Sequence, residues 1–197
     1  MIAIIDYGAG NLRSVQNTLA EIGAAYRLAH TAEHLRAASK IILPGVGHFG
    51  QLIRSLDMME LRQAILRNIH DGVPFLGICL GLQALFEASE EAPGLRGLGL
   101  LPGVVKRFPN NLRVPHMGWD EITPRPDASL LKDLGPKPYL YFAHSYFCPV
   151  VDATAATCLY GVTYTAAIEQ RNLFGVQFHP EKSGPLGLRI VKNFVDL

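Results

Sequence analysis

Short apolar runs alternate with helical patterns through the first half of the chain, and this alternation limits the fold more than any other feature. Three of these runs, residues 2–6, 40–43 and 74–78, are apolar on both faces. Strands of this kind are typical of a parallel sheet that is covered by helices on both sides. The sequence therefore predicts an α/β fold with a mostly parallel central sheet flanked by helices.

Between these strands, apolar side chains recur at the spacing of an α-helix. One set covers residues 12–22 and is followed by Gly23, a residue that often ends helices, and a second set covers residues 56–69. Another helix is expected after residue 78, through Leu82 and Leu85. A closing helix is expected over residues 185–195.

Beyond residue 99 the sequence pattern changes, because prolines and glycines interrupt short β-type segments. Residues 104–108, 118–122 and 139–143 are predicted to form an added antiparallel layer. Residues 163–170 and 173–178 are predicted to pair across a turn at Arg171-Asn172. No linker interrupts the pattern, and 197 residues exceed a typical domain only slightly, so residues 1–197 are interpreted as a single domain.

Charge and cysteine content exclude several classes of protein. Eighteen basic and seventeen acidic residues give a net charge of +1, which provides no field to attract nucleic acid or an anionic membrane. Three cysteines are too few for a disulfide framework. No apolar run approaches the length that spans a bilayer, and Asp6 follows Met1 too closely for a signal peptide. A soluble, cytoplasmic protein is expected.

The segment Gly77-Ile-Cys-Leu-Gly81 has the layout of a nucleophile elbow, with Cys79 where hydrolases of another type carry serine. It lies where a strand meets a helix, and its glycines allow a sharp backbone turn. At such a junction a thiolate is favoured, and the amide of Leu80 can donate to a developing oxyanion. The alternative is a buried structural cysteine, which is how Cys148 and Cys158 are interpreted.

A cysteine nucleophile needs a base that a third group orients. His179 directly follows the strand at 173–178, and Glu181 lies two residues further on, across Pro180. This pair is the best candidate for base and orienting carboxylate. His116 and His144 lie in β-type segments and are expected to be satisfied internally or to line a binding site.

Two glycine-rich turns follow other strands. The turn Pro44-Gly-Val-Gly47 should open at the same sheet edge as Cys79, so its amides are candidates for an oxyanion hole. The turn Gly8-Ala-Gly10 lacks the third glycine of a dinucleotide fingerprint, since Arg13 occupies that place. No metal-binding spacing occurs either, so neither a cofactor nor a metal is predicted.

Taken together, Pro44-Gly-Val-Gly47, Gly77-Ile-Cys-Leu-Gly81 with Gln83, and Phe178-His-Pro-Glu181 closely resemble the motifs of class I (triad) glutamine amidotransferases. The resemblance implies a flavodoxin-like α/β fold and hydrolysis of glutamine to glutamate and ammonia. In that family's pattern Cys79 is the nucleophile, His179 transfers the proton and Glu181 orients His179. The resemblance further assigns residues around bound glutamine, namely Gly45, Val46, Gly47, Leu80, Gln83, Glu91, Ser145 and Tyr146.

Further segments of the sequence resemble those of one branch of that family, which acts in histidine biosynthesis. They are Asp6-Tyr-Gly-Ala-Gly-Asn-Leu12, Pro44-Gly-Val-Gly-His-Phe-Gly50, Pro115-His-Met-Gly-Trp119 and His144-Ser-Tyr146. Members of this branch form heterodimers with a cyclase subunit, a (β/α)8 barrel that consumes the ammonia. The resemblance places Asn11, Trp119 and Lys182 at or near that interface, although Trp119 could also anchor the core.

One residue departs from the branch's pattern. Asp120 follows Trp119 where relatives commonly have asparagine, so the local contacts there are expected to differ. Two other functions remain open at this point. The chain could feed another synthase, such as those for pyridoxal phosphate or anthranilate, or it could be a non-catalytic scaffold that regulates a partner.

Overall fold

The computed structural model describes residues 1–8 and 11–197, and the predicted turn through Ala9 and Gly10 therefore lies partly outside the described residues. Six α-helices occur in the described part of the chain: α1 Leu12–Glu21, α2 Ala32–Arg36, α3 Phe49–Met58, α4 Leu61–His70, α5 Leu80–Gln83 and α6 Gly184–Asp196. A 3-10 turn at Pro180–Lys182 precedes α6. The strands are β1 Ile2–Ile5, β2 Tyr26–Ala29, β3 Lys40–Gly45, β4 Phe75–Cys79, β5 Phe86–Ser89, β6 Leu101–Arg107, β7 His116–Pro124, β8 Tyr139–His144, β9 Tyr146–Phe147, β10 Thr154–Tyr160, β11 Val162–Gln170 and β12 Leu173–Val176.

The main sheet has nine strands in the order β2-β1-β3-β4-β12-β11-β10-β7-β8. Strands β2, β1, β3, β4 and β12 are parallel to their neighbours in this half of the sheet. From β12 onward each pairing is antiparallel. The predicted combination of a parallel centre and an added antiparallel layer is confirmed.

Helices cover both faces of the parallel half. Ile4 and Ile42 point to the face where α1 and α6 contribute Leu19 and Phe194. The alternate residues of the same strands, such as Ile5, point to the opposite face, which α3 and α4 cover. Because both faces of each strand are buried, the strands read as continuous apolar runs.

The segment between β3 and β4 contains two helices, whereas the sequence pattern predicted one helical stretch over residues 56–69. Helix α3 ends at Met58 and α4 begins at Leu61. Glu60 between them has φ 57°, a left-handed conformation that side chains other than glycine rarely adopt. The chain turns there without the glycine or proline that would have indicated a helix end.

Several other predictions need correction. The helix after Cys79 ends at Gln83 and does not continue through Leu85, since β5 begins at Phe86. Helix α2 and strands β2, β5, β9 and β10 have no counterpart among the predicted elements. Strand β6 leaves the main sheet and pairs with β5 and β9 in a separate sheet of three strands.

No helix within residues 1–8 and 11–197 is both long and apolar enough to cross a membrane. In the same part of the chain, no cluster of three or more His, Cys, Asp or Glu side chains is arranged to hold a metal ion. All three cysteines are free and buried.

Candidate active site

The candidate catalytic residues meet at the carboxyl edge of the parallel strands. Gly45 at the end of β3 lies in register with Cys79 at the end of β4. Strand β12 flanks β4 on the other side, with Val176 opposite Ile78, and His179 follows three residues later. The backbone N–H of His179 donates to the Tyr141 carbonyl at 2.8 Å, which fixes the segment against β8. Parallel pairing of these strands thus brings Cys79 and His179 together, although they are 100 positions apart in the sequence.

Cys79 occupies a strained backbone conformation, with φ 53° and ψ −105°. Strain of this kind in a side chain other than glycine is found mainly at functional sites. Two glycines permit the turn, since a Cβ on Gly81 would lie 2.0 Å from the Leu43 carbonyl oxygen and one on Gly77 would lie 2.5 Å from that of Gly81. The elbow expected from the sequence is therefore present, and steric contacts explain its glycines.

His179 and Glu181 form a buried pair beside Cys79. Nδ1 of His179 lies 2.8 Å from Oε1 of Glu181, and the two side chains are only 3% and 2% exposed. Pro180 begins the 3-10 turn that connects them, as the expected stiff link. Because Nδ1 binds the carboxylate, Nε2 of the ring is the nitrogen left for the thiol.

Charge at the site holds a proton on His179. Burial lowers the pKa of His179, but hydrogen bonds to Cys79 and Glu181 and the negative charges of both groups outweigh burial and raise the pKa to about 10. The imidazole ring therefore keeps its proton at neutral pH. An imidazolium poised beside a sulfur nucleophile can deliver that proton to a leaving group.

The predicted glutamine-binding residues converge on one cavity, with Gly45 as the exception. Seven of the eight line a cavity that also exposes Cys79 and His179: Val46, Gly47, Leu80, Gln83, Glu91, Ser145 and Tyr146. His144 and Met117 complete part of its wall. Gly45 is buried outside the lining, where an added Cβ would lie 2.7 Å from both Leu80 Cβ and Gly81 N. Its lack of a side chain lets β3 approach the elbow.

Two polar side chains in the cavity wall are held in place by the backbone. Oε2 of Glu91 accepts a hydrogen bond of 2.7 Å from the amide of Phe49, in the first turn of α3. Nε2 of the buried Gln83 donates to the Tyr146 carbonyl at 3.0 Å. Both side chains are thus ordered before any ligand binds.

Tyr7 contacts the turn at Val46 and was not among the predicted site residues. Its buried hydroxyl donates to the Val46 carbonyl at 3.5 Å. Burial is the main cause that raises the pKa of Tyr7 to about 12, and the charges of Cys79 and Asp6 add to it. The hydroxyl therefore stays protonated and restrains this peptide group.

Gln177 is a second residue that sequence reasoning missed. Its side chain is fully buried below the cavity, and its Nε2 lies 3.6 Å from the sulfur of Cys79. Its Oε1 lies 3.2 Å from Nε2 of Gln83. A polar side chain inside an apolar strand was the only available signal, and it was not used.

His116 and His144 are both satisfied internally, as expected, and belong to one buried network. Nδ1 of His144 donates to the Tyr146 carbonyl at 2.8 Å, and Nε2 faces the hydroxyl of Tyr164 at 3.3 Å. Nδ1 of His116 lies 3.2 Å from that same hydroxyl. Burial lowers the pKa of His144 to about 3, so its ring stays neutral at ordinary pH.

Asp120 acts on the inner side of strand β7. Its Oδ2 lies 3.2 Å from Nε2 of the buried His116. Burial lowers the pKa of His116, and Asp120 opposes this effect only partly. The carboxylate at this position therefore contacts the buried side of β7, whereas the neighbouring Trp119 points outward.

Trp119 is 55% exposed, so the alternative in which it anchors the core is wrong. It lies on the same face of the sheet as its register partner Tyr141, with ring centroids 6.2 Å apart. Nζ of Lys182 lies 5.8 Å from the centre of the Tyr141 ring. Met117, two residues before Trp119, is 64% exposed and reaches the cavity wall. This exposed apolar strip, defined by Met117, Trp119 and Tyr141, therefore borders the cavity.

Asn11, the third predicted interface residue, lies at the start of α1. Its Oδ1 accepts a hydrogen bond of 2.8 Å from Ser14 Oγ. The structure brings Trp119 and Lys182 together around the ring of Tyr141, whereas Asn11 lies on a different element.

The fold and the elbow define an α/β protein that presents a cysteine at the carboxyl edge of its parallel strands. The family model described as glutamine amidotransferase class-I matches residues 3–197. The chain belongs to the class I glutamine amidotransferase family, as its motifs indicated.

Curated relatives identify the branch within this family. The protein named imidazole glycerol phosphate synthase subunit HisH from Methanothermobacter thermautotrophicus is 50% identical over 198 residues, which cover 100% of this chain and 98% of that protein. The protein of the same name from Methanocaldococcus jannaschii is 45% identical, with 100% of both chains covered. These names favour the histidine-biosynthesis branch over the pyridoxal phosphate and anthranilate systems.

Solved structures share the fold at much lower sequence identity. The crystal structure of a glutamine amidotransferase has a TM-score of 0.79 at 17% identity, and the match covers 100% of this chain and 98% of that one. The structure of PurLQS from Thermotoga maritima has a TM-score of 0.77 at 19% identity and covers 99% and 97%. The fold class predicted from the sequence is confirmed.

Proposed function

We propose that this chain is the glutaminase subunit of an imidazole glycerol phosphate synthase. It hydrolyses glutamine to glutamate and ammonia, and the ammonia passes to a cyclase subunit that makes imidazole glycerol phosphate and aminoimidazole carboxamide ribotide. The observation that carries the proposal is the shared cavity of Cys79, His179 and the residues assigned to glutamine. Sequence identities of 50% and 45% to subunits of that name, over nearly their whole length, support the choice of branch.

In the first half of the reaction, the Cys79 sulfur attacks the side-chain amide carbon of glutamine. The carbonyl electrons move onto the oxygen, and the resulting tetrahedral species collapses as the carbon–nitrogen bond breaks. His179 gives its proton to the nitrogen, which leaves as ammonia. A γ-glutamyl thioester on Cys79 remains.

In the second half, water hydrolyses the thioester. His179, now neutral, removes a proton from water as the oxygen attacks the thioester carbon. The carbon–sulfur bond breaks, glutamate leaves and the thiolate is restored. Glu181 accepts a hydrogen bond from Nδ1 throughout, so it orients the ring and stabilises its protonated form.

The oxyanion is assigned to backbone amides at two points of the cavity wall. One is the amide of Leu80, directly after the nucleophile, and the other belongs to the turn at Val46 and Gly47. The Tyr7 hydroxyl contacts the Val46 carbonyl oxygen at 3.5 Å, so it lies against this peptide group. Docking of the partner completes this part of the oxyanion hole, so the chain alone turns over slowly.

The remaining cavity residues recognise the amino-acid end of glutamine. Glu91 provides a carboxylate for the α-ammonium group. Ser145 and Tyr146 line the same cavity, and their hydroxyl and amide groups are assigned to the α-carboxylate. A zwitterionic substrate agrees with the chain's near-neutral net charge.

The cyclase partner, a (β/α)8 barrel, is assigned to the exposed apolar strip. An exposed aromatic flanked by methionine and a cation is typical of the anchors found in protein interfaces. Met117 belongs both to the strip and to the cavity wall, so a partner seated there covers the path by which ammonia leaves. A covered path keeps ammonia from being protonated and lost to solvent. Asn11 and Lys182 are assigned to the edge of the same interface. The complex is assigned to the cytoplasm.

The direct test is to mix the purified chain with the cyclase subunit and its nucleotide substrate. The proposal predicts a 1:1 complex in size-exclusion chromatography and glutamate formation that is far faster in the complex than in the chain alone. Trp119→Ala should weaken the complex by about 30-fold or more, as loss of a central aromatic anchor does. Leu159→Ala provides the matched control, since Leu159 is an exposed apolar residue on a different strand.

Failure to form a complex with the cyclase subunit would contradict the assignment of the partner. Full glutaminase activity of the isolated chain would contradict the coupling between docking and the oxyanion hole. Equal binding by the Trp119→Ala and Leu159→Ala variants would remove the exposed apolar strip as the docking surface.

A further inference from the structure

We propose that Gln177 is a catalytic residue whose side-chain amide donates a hydrogen bond to the Cys79 thiolate. The proposal rests on the role of Cys79 as nucleophile. Gln177 lies behind the nucleophile, outside the cavity, with its Nε2 at 3.6 Å from the sulfur. This separation lies within the usual range for a hydrogen bond to sulfur.

The orientation of the Gln177 amide follows from the Tyr146 carbonyl, to which it is linked through the side chain of Gln83. The Tyr146 carbonyl oxygen can only accept, and it receives hydrogen bonds from His144 Nδ1 and from Gln83 Nε2. The second N–H of Gln83 then points to Gln177 Oε1 at 3.2 Å. Gln177 Nε2 is therefore the atom turned to Cys79.

A second contact supports the same orientation. The sulfur of Cys148 lies 3.8 Å from Gln177 Oε1. Burial raises the pKa of Cys148 well above its usual value, so this thiol keeps its proton and acts as a donor. A flipped Gln177 amide would place N–H groups against Gln83 and Cys148 and a carbonyl oxygen against the Cys79 thiolate. The contacts with the Gln83 amide and with the Cys79 thiolate would then become repulsive, and the hydrogen bond from Cys148 to an amide oxygen would be lost.

Backbone bonding keeps Gln177 rigid. Its own amide donates to the Ala166 carbonyl at 2.8 Å across the β11–β12 pair, and the residue is fully buried. A donor fixed in this way pays no reorganisation cost when charge develops on the sulfur. Hydrogen bonds to an anion inside a protein are stronger than those between neutral groups.

Gln177 and His179 thus contact the nucleophile in different ways. His179 supplies a charge and a transferable proton, whereas Gln177 supplies a fixed dipole that cannot titrate. When the carbon–sulfur bond of the thioester breaks, the departing sulfur keeps its contact with Gln177, in addition to His179, which water has by then protonated again. Gln177 therefore stabilises the leaving sulfur in the second half of the reaction.

The test is the pH dependence of Cys79 alkylation by iodoacetamide in the full chain, read by mass spectrometry so that Cys148 and Cys158 are distinguished. Gln177→Met removes the donor and keeps the volume. The midpoint of its profile should move up by about one pH unit, with about tenfold slower alkylation below the midpoint. Gln177→Leu also lacks a donor and should move the midpoint as far.

Cys148→Ala is the matched control, because it removes a donor to Oε1 and leaves Nε2 in place; its profile should match that of the wild type. A role in packing alone predicts that a folded Gln177→Leu variant has the profile of the wild type, and that result would overturn the proposal. A folded Gln177→Met variant with an unshifted profile would overturn it as well. Because alkylation needs no glutamine, the outcome is independent of whether the chain is a glutaminase.

Discussion

Nδ1 of His179 and Oε1 of Glu181 are joined by a hydrogen bond of 2.8 Å in which both side chains are buried. The contact fixes which ring nitrogen faces Cys79. Glu181→Gln keeps an acceptor at that distance and removes the charge that stabilises the imidazolium. We expect kcat for glutamine hydrolysis to fall by about 10- to 100-fold, with KM nearly unchanged, because Glu181 does not line the cavity.

Steady-state kinetics of the complex with the cyclase subunit measure this effect. The control is Glu33→Gln, which removes an exposed carboxylate on α2. A change confined to KM would mean that Glu181 acts on substrate binding and not through His179.

The protonation of His179 provides a second prediction. Its pKa is raised to about 10 because the contributions of Cys79 and Glu181 outweigh burial. In Cys79→Ala the opposing contribution of the sulfur is gone, while burial remains, so the pKa of His179 should fall. Ring nitrogen and proton shifts followed by NMR from pH 5 to 10.5 measure it, and an unchanged pKa would contradict the pairing with Cys79.

The packing of the elbow predicts a large effect at Gly81. An alanine Cβ there would lie 2.0 Å from the Leu43 carbonyl oxygen, so β3 and the elbow must separate. We expect Gly81→Ala to lower the free energy of unfolding by about 1–3 kcal/mol and to slow Cys79 alkylation. Gly23→Ala is the control, since Gly23 has φ 70° and open space around it. Its cost should be about 1 kcal/mol, with alkylation unchanged.

The lowered pKa of the buried His144 predicts that the fold loses stability in acid. Burial lowers its pKa to about 3 in the folded chain, whereas the unfolded chain takes up a proton near pH 6.5. The unfolded state therefore binds more protons between these values, and stability present above pH 6.5 is lost as the pH falls toward 3. At pH 5 this one group should cost about 2 kcal/mol.

Urea unfolding of the wild type and of His144→Gln at pH 7.5 and pH 5 measures this loss. The glutamine amide can still donate to the Tyr146 carbonyl but does not titrate, so the variant should lose less stability on acidification. An equal loss in both chains would assign the effect to other groups.

The parts of the site that followed from the sequence share one cause. Apolar runs and glycine turns predicted parallel strands, and parallel strands bring Cys79, His179 and the turn at Val46 to one edge whatever their separation. Gln177 and Tyr7 were missed because their roles depend on side-chain contacts between distant segments. Gln177 in particular lies in a segment whose pattern indicates only burial.

The structural errors have similar physical origins. The break between α3 and α4 occurs at Glu60, where contacts in the folded chain stabilise a left-handed residue that carries no local signal. Helix α5 ends early because the chain must join β5 beside the elbow. Trp119 could not be placed from the sequence, since strand alternation does not say which face meets solvent.

The central claim is that Cys79 is the nucleophile that releases ammonia for a partner subunit. The most direct measurement compares the wild type and Cys79→Ala in complex with the cyclase subunit, with either glutamine or an ammonium salt as nitrogen source. We predict that the variant loses glutamine-dependent formation of imidazole glycerol phosphate and keeps the ammonia-dependent reaction. Glutamine-dependent synthesis at the wild-type rate in Cys79→Ala would contradict the account.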